Sequence, residues 1–321
     1  MSSNVENLNY VPFRVSTLRG DQKIDFNAYV RINEKFVLYV RKGDSFEGNR
    51  IAKLKEKKLK QLFLKPEEET LYRQYLERNI DMAYDKNSGK SITNRAEIIQ
   101  GSQQSGAEEV FENPGSAASY NSAKENMEKF VSFLQTENEA FQSMMTIDNV
   151  DQNIAHHGVT VATLSTMLMQ KLNFDPKQVN LIALGALLHD FDHHYNGLQV
   201  NRPLSKFTPQ ELAKYKMHPL AGAEAVKDKR HFDPLVLKII LQHEECIDGS
   251  GFPKKLKERD IEPGAIVVGV ANALDRLITF EDVPKAQAPK ELMIKRVGNY
   301  PLDYIRMLGE IFAKQAAITA A

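Results

Sequence analysis

One cysteine, Cys246, in 321 residues excludes an internal disulfide and any thiolate-rich zinc or iron–sulfur site. An excess of either charge is missing too. Lys+Arg and Asp+Glu number 42 each, so no global field draws the chain to DNA or to an acidic membrane. The first residues, Met1-Ser2-Ser3-Asn4-Val5-Glu6, lack the basic and apolar regions of a signal peptide. No apolar run is read as reaching the roughly 18 residues that span a bilayer. These absences lead to the expectation of a soluble cytoplasmic protein with neither DNA nor membrane as partner. Hydrophobic residues make up 42% of the chain, enough to bury a core, and the length suggests about two domains.

The N-terminal stretch reads as α/β. Ile24, Phe26, Ala28, Val30 and Ile32 alternate with more polar residues, which is strand periodicity. A hairpin to Phe36–Val40 follows. From Asn49 the spacing of Ile51, Leu54, Leu59, Leu62 and Phe63 predicts a helix, and Glu67–Asp85 predicts a second. Residues 1–85 are therefore expected to form a small regulatory or dimerising α/β domain, which leaves a homodimer open. Lys53, Lys55, Lys57, Lys58 and Lys60 are read as the solvated face of a helix in preference to a phosphate site. Residues 86–123, with Gly101-Ser102 and Asn113-Pro114-Gly115-Ser116, have the composition of a linker around short helices.

From residue 124 only helices are expected. Met127, Phe130, Val131 and Leu134 make a core stripe, and Val159 to Leu172 an amphipathic helix beginning near His157. Asp175-Pro176, Thr208-Pro209-Gln210-Glu211 and Asp233-Pro234 are helix starts. Ile266–Ala271 could pass for a strand, but Asn272, Leu274, Leu277 and Ile278 continue a helical period.

Four of these segments carry a histidine at or near an apolar stretch: His157, His189, His218 and His243. Asp190 follows His189, and Glu244 follows His243. One such histidine is ordinarily a core residue. Four on separate helices, with His-Asp among them, indicate a metal site. Neighbours along a helix diverge by about 100°, so His189 and Asp190 meet one centre only from a helix end or edge. Asp190 has two oxygens and can bridge two ions. Imidazole and carboxylate donors without thiolate suit iron, manganese or zinc.

Residues 153–279 resemble the HD-GYP family of HD phosphohydrolases, whose bacterial members hydrolyse the signalling nucleotide cyclic di-GMP. His157-Gly158-Val159-Thr160-Val161 is similar to the family's leading His segment, and Leu187-Leu188-His189-Asp190 to the HD motif. Arg202-Pro203, Lys206-Phe207-Thr208-Pro209-Gln210-Glu211 and His218-Pro219 resemble "KPG-LTPEE…HP". His243-Glu244-Glu245 through Gly251-Phe252-Pro253 resembles "HHExxDGxGYP". Val270-Ala271-Asn272-Ala273-Leu274-Asp275 resembles "VADxxDA".

The chain is thus read as α+β, a small α/β domain followed over 124–321 by an all-α bundle, which the resemblance makes HD-type. It implies two divalent ions, non-haem iron foremost and manganese next. The implied ligands are His157, His189, Asp190, His218, His243, Glu244 in place of a second His, Asn272 in place of Asp, and Asp275 one turn on. Asn153 replaces the Glu that supplies a third metal in some members, so two ions are expected.

On the substrate side His193 stands for a phosphate-holding Lys, and Phe252 for the GYP Tyr. Arg202 and Lys206 are further candidates for substrate binding. Asp190, His193 and His194 are the candidate catalytic residues, the histidines as proton donors to the leaving oxygen. Glu281-Asp282-Val283-Pro284 replaces the basic "RPYR" segment. The expected function is a metal-dependent phosphodiesterase acting on cyclic di-GMP, of reduced activity. The alternative is a degenerate domain that signals by binding a nucleotide or a partner, with a diguanylate cyclase as the partner the resemblance suggests. Cys246 is read as a buried inert thiol.

Overall fold

The computed structural model describes residues 10–20, 22–57, 59, 61–137, 139–147 and 154–319. Asn153 lies outside them. The chain divides into two compact units, 1–105 and 106–321.

The first unit holds β1 (Val11–Arg14), β2 (Ala28–Ile32), β3 (Lys35–Val40), α1 (Arg50–Glu56), β4 (Gln61–Leu64) and α2 (Glu69–Tyr84). The sheet order is β1-β4-β2-β3 and every pairing is antiparallel. Asn33 and Glu34 both have positive φ, 46° and 64°, as a two-residue hairpin turn requires. Phe13, Ile24, Phe26, Phe46, Leu62 and Tyr75 fill the core. One expectation is corrected here: the helix from Asn49 stops at Glu56, and Leu62 and Phe63 belong to β4. Leu62 and Leu64 are buried while Gln61 and Phe63 are half-buried, a period of two that five apolar residues read along a helix conceal.

α3 (Ile92–Glu112) follows, in the stretch expected to be a linker, and the boundary between the units falls within it. The second unit continues with α4 (Ala117–Thr136), α5 (Ala140–Met145), α6 (Ile154–Lys171), α7 (Pro176–Leu188), α8 (Pro209–Val226), α9 (Pro234–Gln242), α10 (Pro263–Phe280), α11 (Ala288–Lys295) and α12 (Leu302–Thr319). It is an all-helical bundle. α6 packs on α7 and α10, α7 on α9 and α4, and α8 on α9.

The helix starts follow local chemistry. Asp175 accepts from the Lys177 amide, and Thr208 forms a reciprocal capping box with Glu211. Asp233 precedes α9 but makes no cap. Its carboxylate instead takes Lys124 Nζ at 2.9 Å and the Tyr120 hydroxyl at 3.0 Å.

α10 is the one described helix long and apolar enough to cross a bilayer, which the sequence reading had not recognised. That stretch is 83% buried within the protein, and it is the core helix of the bundle. Gly158 lets α6 close on α7. A Cβ there would stand 2.4 Å from the Leu187 carbonyl oxygen, so this contact, beside both His157 and His189, admits no larger side chain.

Candidate metal centre

His157 lies in the first turns of α6, His189 directly after α7, His218 within α8 and His243 directly after α9. All four are buried. Three of them are aimed by the same device. The last carbonyls of a helix have no amide to accept from. At the end of α7 the Ala186 oxygen takes His189 Nδ1 at 2.7 Å, and at the end of α9 the Ile240 oxygen takes His243 Nδ1 at 2.9 Å. His218 sits mid-helix, yet Tyr215 O is still free for its Nδ1, at 2.6 Å. The residue that would donate to that carbonyl is Pro219, which has no N–H.

A carbonyl only accepts, so in each ring Nδ1 carries the proton and Nε2 presents a lone pair. Two of those lone pairs, on His218 and His243, face each other at 2.9 Å.

His157 is held differently. Its Nδ1 meets Asp275 Oδ2 at 2.5 Å and its Nε2 lies 3.0 Å from Asn272 Oδ1. Burial opposes protonation of His157, but the Asp275 carboxylate raises its pKa above the ordinary imidazole value. Asp275, expected as a ligand or one turn behind one, meets His157 on the ring edge away from Asp190.

Asp190 is the common neighbour. Its Oδ2 lies 3.5 Å from His189 Nε2 and 3.8 Å from His157 Nε2. Its Oδ1 lies 3.3 Å from His218, 3.7 Å from His243 and 3.8 Å from His193. The imidazoles thus divide between the two carboxylate oxygens. Three overlapping groups have ligand atoms within 4.8 Å of one another: His157-His189-Asp190, Asp190-His193-His218 and His218-His243-Glu244. Burial works against charge on Asp190, but His189, His193 and His218 overcome it and hold the carboxyl well below its usual range. Burial lowers His189, and lowers His243 well below the usual value. The donor set thus includes an anionic carboxylate, Asp190, with His189 and His243 held in the neutral form.

A pair of divalent cations fits these residues. His189 Nε2 is buried without a hydrogen-bond partner, and the facing lone pairs of His218 and His243 have no proton to share. A cation relieves both conditions at once.

His193 differs from its neighbours. Asn196 Oδ1 accepts from the Leu198 amide at 2.8 Å and its Nδ2 donates to Asp192 at 2.7 Å, which fixes the amide. The same Nδ2 lies 2.9 Å from His193 Nδ1, so Nδ1 accepts and Nε2 carries the proton. Burial, with His218 next, lowers the His193 pKa to about 3. Its Nε2, 3.8 Å from Asp190 Oδ1, offers a hydrogen-bond donor to the centre. His194, its neighbour on the same 3-10 turn, is exposed and lies against Phe111 and Tyr195. Among the described residues the structure places it with those two rings and in no contact with Asp190.

Glu244 is half-buried and its Oε1 accepts from Tyr215 at 2.5 Å and from Asn272 Nδ2 at 3.3 Å. Burial keeps the Tyr215 phenol protonated. Arg202 is paired with Glu211 and lies 4.9 Å over the Phe207 ring. Lys206 is exposed. Phe252 packs beside Tyr215, ring centroids 6.0 Å apart. In the loop between them and α10, Glu245 takes the amides of Lys254 at 2.6 Å and Leu256 at 2.9 Å. Gly251 approaches so closely that a Cβ would lie 2.3 Å from the Cys246 amide nitrogen.

Two residues escaped the sequence reading: Tyr215, one turn before His218 on α8, and Arg276. The signal for Arg276 was available, since it occupies the closing Ala position of "VADxxDA".

A helical bundle with histidines and an aspartate converging from α6, α7, α8 and α9 defines the HD class of metal-site proteins. The chain belongs to the HD domain family, whose pattern matches residues 137–297, and is related to the HD-GYP cyclic di-GMP phosphodiesterases. Its structure is similar to that of Bd1817, a HDG"Y"P protein from Bdellovibrio bacteriovorus, at 55% identity and TM-score 0.90, over 95% of this chain and 99% of that one. The cyclic di-GMP phosphodiesterase PA4108 of Pseudomonas aeruginosa is 26% identical over 56% of this chain and 43% of its own. The cyclic di-GMP phosphodiesterase of Thermotoga maritima is 28% identical over 40% and 35%. The chain thus spans less than half the length of either phosphodiesterase.

Proposed function

We propose that this protein is a metal-dependent phosphodiesterase that opens cyclic di-GMP to a linear dinucleotide or GMP. The observation that carries the reading is the division of four imidazoles, His157 and His189 against His218 and His243, between the two oxygens of Asp190. His157 and His189 with one oxygen would hold one ion. His218, His243 and Glu244 with the other oxygen would hold the second. Imidazole and carboxylate donors suit ferrous iron, and manganese next. When bound, two such cations supply a water of lowered pKa and neutralise charge developing at phosphorus.

The chain's own residues do the rest. Asp275 and Asn272 orient His157, the three helix carbonyls fix the other rings, and Tyr215 holds Glu244. His193 presents its Nε2–H to an oxygen of the substrate. Phe252 and Tyr215 supply an aromatic wall. The free thiol of Cys246 fits a reducing compartment such as the cytoplasm.

Two observations favour a second reading, a nucleotide-binding or partner-binding domain without turnover: Arg202 is already paired with Glu211, and Phe252 has no hydroxyl. A diguanylate cyclase would then be met at the loop Asp248–Pro253. Incubating iron- or manganese-loaded protein with cyclic di-GMP separates the two. Linear product that disappears on chelation is expected. Nucleotide binding with no product would replace the enzyme by the receptor.

A further inference from the structure

We propose that Arg276 is an anion anchor in this centre and binds a non-bridging phosphoryl oxygen of the ligand. The identity of that ligand as a phosphodiester rests on the function proposed above; the anion site itself does not.

Arg276 is 8% exposed, and among the described residues of the helical unit no other Lys or Arg is buried. Its guanidinium lies 5.2 Å over the ring of Tyr215 and 5.0 Å over that of Phe280. Among the described residues none of its N–H groups meets an acceptor, and it pairs with no carboxylate. A guanidinium stays charged at any working pH and carries five N–H donors in a planar fork. None of its nitrogens is fully buried without a partner, so the N–H groups that lack an acceptor open to solvent and to an incoming anion. Here the flat faces are packed against rings while the donors are left unspent, although Asp190 and Asp275 are buried in the same centre.

A second unspent donor stands nearby. The His193 ring is stacked on that of Tyr215, centroids 5.6 Å apart and planes 16° apart, and its buried Nε2 has no partner. Both donors pack on the Tyr215 ring, and His193 Nε2 lies 3.8 Å from Asp190 Oδ1, so an oxyanion at this centre has a charged and a neutral N–H group to bind it. The other basic groups expected on the substrate side do not compete for this task. Arg202 is held by Glu211, and Lys206 is exposed. Glu281, where the resemblance leads one to expect a basic residue, is paired with Lys295 at 2.7 Å.

The test uses inorganic phosphate as the probe and titration calorimetry of full-length, metal-loaded protein. The variants are Arg276→Met, which keeps bulk between the rings, and Arg276→Lys, which keeps charge and loses the fork. Metal per chain and thermal melting are measured on each. The expected result is wild-type metal content in both, with phosphate affinity lowered tenfold or more by Arg276→Met and less by Arg276→Lys. For cyclic di-GMP, KM should rise more than kcat falls.

Phosphate binding by folded Arg276→Met within twofold of wild type would overturn the assignment. So would loss of metal in both variants, which would make Arg276 a support of the cation site, or failure of wild type to bind phosphate. If no protein cleaves cyclic di-GMP while phosphate binding still depends on Arg276, the proposed reaction falls and the anchor stands.

Discussion

At Asp275 a single carboxylate sets the direction of a neighbouring ring. It meets Nδ1 of His157 at 2.5 Å and so fixes which nitrogen faces Asp190. Asp275→Asn keeps an oxygen at that position and removes the charge. Metal affinity, measured by competition with a chelator, is expected to fall about 10- to 100-fold with the melting curve still cooperative. Cys246 gives a second outcome at this scale. Burial pushes its thiol up to about 11, so at pH 7.5 iodoacetamide should label it slowly in native protein and rapidly after denaturation.

What could be read from single residues followed their chemistry. His157, His189, Asp190, His218 and His243 announce themselves, because ionisable residues against apolar stretches need a reason to be there. Tyr215 does not, since it is unremarkable on a helix until that helix is packed against the others, and Arg276 shows only as a departure from the closing Ala of "VADxxDA". As candidate proton donors His193 and His194 are not distinguished by the sequence. Only the 3-10 turn sorts one into the centre and the other onto Phe111.

Among elements, α8 makes the sharpest case. Pro219 would be read as a defect inside a helix, yet it frees the Tyr215 carbonyl that orients His218. Pro219→Ala restores an amide able to compete for that carbonyl. The helix is expected to gain stability, since Pro disfavours a helix interior by about 3 kcal/mol relative to Ala, while metal affinity falls. A rise in melting temperature of chelated protein together with weaker metal binding checks both halves. Helix ends with Asp-Pro or Thr-Pro-x-Glu were legible because capping is local chemistry. β4 was not, because four residues with two buried leucines fit either period until a sheet is present to pair with them.

For the whole molecule, burial of neutral imidazoles makes stability depend on pH in the absence of metal. His189, His193 and His243 have pKa values lowered from 6.5, His193 to about 3. The unfolded chain therefore binds more protons below pH 6.5, and stability falls as pH drops from there, by up to about 1.4 kcal/mol per pH unit for each such histidine. His157, with a raised pKa, acts in the opposite sense: its contribution is full below 6.5 and is lost as pH rises through its raised value. Three outweigh one, so chelated protein should melt at a lower temperature at pH 5.5 than at pH 7.5. An equal or higher melting temperature would mean that these rings are not buried neutral.

Beneath every functional statement lies the proposal that two cations gather around Asp190. Elemental analysis of metal per chain, on wild type and Asp190→Ala purified without chelator, tests it most directly. Two divalent ions per wild-type chain and a loss of both in the variant are expected. A metal-free wild type, or an Asp190→Ala protein with undiminished metal, would contradict it.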